Sequence, residues 1–88
     1  MQLNEIFGFG KADRSAALLK DIGSLFRRWE AYMASLQGQG RRKMFAATQM
    51  EYKLAQAEAA ELQARYERGE DVLAELDRLK MDIYQSCG

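Results

Sequence analysis

Gln37-Gly38-Gln39-Gly40 separates two stripes of residues that pair at constant register: Leu36 with Phe45, Met33 with Thr48, Trp29 with Tyr52, Phe26 with Ala55, Ile22 with Ala59 and Leu19 with Leu62. Both stripes advance by alternating steps of three and four, which keeps side chains on one face of an α-helix. Glycines end helices readily, and so short a link makes its two helices antiparallel neighbours. The pattern predicts an antiparallel helical hairpin with arms at about 13–36 and 41–68. The second stripe is large at its ends (Phe45, Tyr66) and small in its middle (Ala55, Ala59), so the two backbones are expected to approach closely there.

The first arm carries more apolar surface than one neighbour needs. If Leu19, Ile22, Phe26, Trp29 and Met33 face the second arm, Leu18, Leu25 and Tyr32 are left for something else. Asp13 or Ser15 can cap its start. Gly23 inside it costs roughly 1 kcal/mol relative to alanine, and close packing at that point is the expected compensation. On the second arm Glu61 and Arg65 stand four apart in the order that favours an ion pair.

Beyond residue 68 two continuations compete. In one, Gly69-Glu70 ends the second helix and Asp71 caps a third at about 71–85, carrying Val72, Leu73, Leu76, Leu79 and Ile83 back over Leu18, Leu25 and Tyr32. In the other, a stripe through Leu62, Tyr66, Gly69, Leu73, Leu76 and Ile83 runs on without a phase break. A single helix from 41 to 84 would then project from the hairpin and need another chain to cover it. The first is the expected arrangement: an all-α fold, a hairpin plus a shorter third helix, forming a small helical bundle with coiled-coil-like packing.

Eighty-eight residues suit one domain spanning 1–88, and a domain of that size buries too little surface to be more than marginally stable alone. Hydrophobic residues make up 48% of the chain, many of them alanine, while charged residues are 30% and proline is absent, a balance that favours long helices over sheets or disorder. The leader 1–10 sets Leu3, Ile6, Phe7 and Phe9 among glycines, too short for an independent helix and too apolar for a solvated tail. It is expected to dock, either across one end of the bundle or with Phe7 and Phe9 in a partner's groove.

Thirteen basic and thirteen acidic residues cancel, so bulk charge gives no reason to expect nucleic acid or an anionic membrane. Their distribution is uneven. Residues 11–43 carry eight Lys/Arg against three Asp/Glu, net +5, and residues 44–88 carry five against nine, net −4. Such a dipole either closes on itself within one fold or pairs head to tail with a second copy. The lone Cys87 has no internal disulfide partner, and its place excludes a prenylation box. No apolar run approaches the ~20 residues needed to span a bilayer, and residues 1–10 lack the pattern of an export signal, so the cytoplasm is the expected compartment.

Chemistry has few footholds. Histidine is absent, which removes the commonest general base and metal ligand, and one cysteine near a fraying terminus builds no thiol site. Glu51, Glu58 and Glu61 recur at helical spacing, but di-iron helix sites also use Glu-x-x-His pairs, so these carboxylates read as a wet outer face. Gly38-Gln39-Gly40 matches a dinucleotide fingerprint only in part. No catalytic residue, cofactor or metal is expected.

What remains points to partners. Leu18, Leu25, Tyr32, Leu54, Phe7 and Phe9 are the candidate protein contacts, with Met50 extending apolar surface beyond the main stripe beside Leu54 and Met44 doing so near the elbow. The expected function is a non-catalytic protein–protein interaction module, such as an assembly factor, chaperone, inhibitor or structural subunit, binding another protein or further copies of itself. The rival is an accessory nucleic-acid or phosphate-binding module. Arg41, Arg42 and Lys43 place positive charge where a helix start is already positive, and Arg27 and Arg28 could extend the patch.

Overall fold

The computed structural model describes residues 10–87, with only the backbone of Lys11, and within them it contains three helices and no strand. These are α1 (Lys11–Gly38), α2 (Arg42–Glu67) and α3 (Leu73–Ser86). The leader's expected docking lies outside the described residues, apart from Gly10.

Both reversals of the chain use one device. Gly40, at φ 73°, donates its N–H to Gln37 O, and the following Arg41 N–H reaches back to Leu36 O at 3.0 Å. Gly69, at φ 88°, donates to Tyr66 O, and Glu70 N–H reaches Arg65 O at 3.0 Å. Each is the six-to-one and five-to-two pair that closes a helix end when a left-handed residue follows it. Only glycine enters that region without a Cβ penalty, so these two glycines set the two turns. The continuous helix from 41 to 84 is therefore not formed.

Helix starts are less well served than the sequence implied. Gly10, not Asp13 or Ser15, occupies the first cap, and no side chain accepts a hydrogen bond there; Ser15 is buried within the helix. Asp13 still sits in the first turn, where a negative charge suits the dipole. At α3 the cap position falls to Val72, not to Asp71 as expected; Asp71, one residue earlier, still accepts from Leu73 N–H through Oδ1 at 3.2 Å.

The core is filled from all three helices. Ile22, Trp29 and Met33 come from α1, Tyr52 and Leu62 from α2, and Val72, Leu76, Leu79, Ile83 and Cys87 from α3. The α3 residues advance by four, three, four and four, which lays one continuous stripe into the furrow of the hairpin. Cys87, expected at a fraying end, is instead 2% exposed and closes that stripe.

The hairpin register is the one the sequence specifies. The Trp29 and Tyr52 rings meet edge to face at 5.3 Å, and Phe26 meets Tyr52 the same way at 5.5 Å. The indole N–H of Trp29 donates to Thr48 Oγ1 at 2.7 Å, so a buried polar hydrogen of α1 is satisfied by α2. Gly23 departs from expectation. A Cβ there would meet nothing within 4 Å, so no close packing offsets its cost.

Candidate interaction surface

On α2, the face that meets α1 and α3 leaves a strip pointing outward. Lys43, Ala47, Met50, Leu54, Ala57 and Glu61 follow one another by four, three, four, three and four residues, and all six are exposed. Leu54 is 72% and Met50 71% exposed, the two largest values among the bulky apolar side chains of the described residues. Met44, at 46%, is exposed nearer the elbow. Isolated exposed leucines are ordinary, but two long apolar residues one turn apart form a patch.

Leu54 also borders an open groove between α2 and α3. The groove encloses about 270 Å³, and its floor includes Trp29, Ala55, Leu79 and Ile83. Glu51, Glu58 and Asp82 stand on its rim. None of the three forms an ion pair among the described residues; the pairs that exist join Arg65 to Glu70 and Glu75, Arg68 to Glu70, and Lys80 to Asp21. Arg65 thus ties the end of α2 to α3 through Glu70 and Glu75, while Glu61, four residues before it, favours its charge without closing to an ion pair. Hydrogen bonds from Arg65 and then Arg68 hold the Glu70 carboxyl below its ordinary range.

The basic elbow is free of partners of opposite charge. Arg41, Arg42 and Lys43 are exposed and form no ion pair among the described residues; the Arg41 guanidinium instead donates from Nη1 to Met44 Sδ at 3.7 Å. No acidic residue occupies the first turn of α2. Glu30, a candidate counter-charge, is engaged elsewhere: it accepts a hydrogen bond from the Tyr52 hydroxyl, which also accepts from Gln56 Nε2 at 3.0 Å. Burial, then the bond to Glu30, pushes the Tyr52 phenol up to about 12. Arg28 lies over the Tyr84 ring at 5.9 Å, a cation–π contact directed at α3. Arg27 and Arg28 end about 15 Å short of the elbow along α1 at 1.5 Å per residue, so the five cations form two patches.

Leu18, Leu25 and Tyr32 are partly buried and packed against the core cluster. Leu54 is the fully exposed member of the expected contact set within the described residues; Phe7 and Phe9 lie outside them. Among the described residues no helix is long and apolar enough to cross a membrane, and no group of three His, Cys, Asp or Glu could hold a metal ion. No protein-family model matches the chain, and no curated protein or solved structure is detectably similar to it.

Proposed function

We propose that the chain is a non-catalytic helical interaction module, a small assembly or structural component whose working surface is the outer face of α2. The observation that carries this reading is the adjacent exposure of Met50 and Leu54, the two most exposed bulky apolar side chains among the described residues, ahead of Tyr84 and Met81 on α3. A partner helix laid along that face would remove both side chains from water, worth roughly 1.5–3 kcal/mol for each one fully buried. A cytoplasmic setting suits the reading, since Cys87 is a free thiol held in the core.

The test is gel filtration of the native extract and of the purified chain, wild type beside a Met50→Lys/Leu54→Lys variant checked for helix content by circular dichroism. Wild type should travel in a species larger than one chain, and the variant should not. Wild type migrating as a single chain in both settings contradicts the proposal.

The phosphate-binding alternative draws on one observation, the unpaired elbow cations Arg41, Arg42 and Lys43. Binding of that origin weakens steeply with salt, so an affinity for nucleic acid indifferent to salt and to Arg41→Glu/Arg42→Glu would dismiss it.

A further inference from the structure

The outward strip of α2 reads almost the same from either end: Lys43, Ala47, Met50, Leu54, Ala57, Glu61, or charged, small, large, large, small, charged. The two ends carry opposite sign. We infer that this face is covered by a second copy of the chain, with the two α2 helices antiparallel about a two-fold axis near position 52. The inference rests on the interaction reading above and names its partner.

Rotation about that axis sets each residue of the strip against the strip residue equidistant from position 52 on the second copy, while a residue flanking the strip close to the axis stays on its own side and comes near its own copy. Met50 meets Leu54 of the second copy and Leu54 meets its Met50, so four long apolar side chains gather at the centre. Ala47 meets Ala57 on either side, letting the backbones close in. Lys43 meets Glu61 at both ends, about 27 Å apart along the seam at 1.5 Å per residue. Steps of three and four over this span are those of a coiled-coil seam, in which antiparallel partners oppose one another in this way. A parallel arrangement would set Lys43 on Lys43 and Glu61 on Glu61, and is disfavoured at both ends.

The charges outside the strip agree. In the antiparallel arrangement the basic start of one α2, Arg41 to Lys43, lies level with residues 61–63 of the other, on Glu61 and within about a turn of Glu58, and Met44 comes beside the groove rimmed by Glu58 and Asp82. Within a single chain these groups have no ion pair: every ion pair among the described residues takes its cation from 65–80, and Arg41, Arg42 and Lys43 are in none of them. The elbow cations and the carboxylates of Glu58 and Glu61 are left for a second chain. Glu51 and Lys53, flanking the axis, each approach their own counterpart. Both are exposed and turn to water, which limits affinity and keeps the dimer reversible.

Disulfide trapping in a Cys87→Ala background decides the register. Ala47→Cys and Ala57→Cys chains, each confirmed helical, are oxidised alone and as a mixture. The expected result is a covalent dimer in the mixture and little in either chain alone. Self-linking of Ala47→Cys, or no covalent dimer in any combination, overturns the arrangement. A charge exchange adds an independent readout: Lys43→Glu and Glu61→Lys should each weaken dimerisation several-fold, and the double variant should restore it. If the double variant is no better than the single ones, the pairing is wrong. Absence of any dimer, together with a larger species in native extract lost on Met50→Lys/Leu54→Lys, would defeat the self-pairing alone; absence of both would defeat the interaction reading as well.

Discussion

At the scale of single residues, Tyr52 joins the hairpin core to its surface. Its ring packs against Trp29 and Phe26, while its hydroxyl donates to Glu30 at the edge of the bundle. Because its pKa rises from 10.0 to about 12 on folding, the neutral phenol is favoured in the native state. That contribution is complete below pH 10 and is lost as pH climbs towards 12. Its size is about 1–2 kcal/mol, less than the full shift implies, because the hydroxyl sits where solvent screens it. Denaturant unfolding of wild type and Tyr52→Phe should show stabilities that converge from pH 10 upward, wild type losing more than the variant. Parallel pH profiles for the two proteins would show that Tyr52 does not supply the coupling.

At the scale of elements, glycines with different roles allow a controlled comparison. Gly69 sits at φ 88° and closes α2, whereas Gly23 lies in mid-helix with open space where a Cβ would go. Gly69→Ala should cost about 1–2 kcal/mol, and Gly23→Ala should stabilise by about 0.5–1 kcal/mol, both measured from thermal or denaturant midpoints. The same elements show what the sequence made legible. The hairpin register was readable because Trp29, Met33, Thr48 and Tyr52 belong to stripes with one period, and period survives translation into structure. The break at Gly69 stood as one of two options because the apolar stripe kept its phase across it; backbone dihedral decided the matter, and dihedral leaves no periodic trace. Asp13 and Ser15 looked like caps by composition, yet the helix begins at Lys11 and takes Ser15 inside. Leu54 was legible as an apolar residue off the stripe. The half-burial of Leu18, Leu25 and Tyr32 was legible only on the condition that α3 folds back.

At the scale of the molecule, α3 completes the hairpin and leaves the Met50 and Leu54 face of α2 uncovered. A three-helix bundle of this size has little stability to spare, so a face that exposes Met50 and Leu54 is costly unless something covers it. Covering by a second copy removes the apolar centre from water and brings unpaired cations beside unpaired carboxylates at the ends. The centre resists salt and the ends do not. Sedimentation equilibrium of the purified chain over a broad concentration series, at low and high salt, tests this most directly. The expected result is a reversible monomer–dimer equilibrium that weakens at high salt without vanishing, and a Met50→Lys/Leu54→Lys variant that stays monomeric throughout. A wild-type chain with the mass of one copy at every concentration would contradict it.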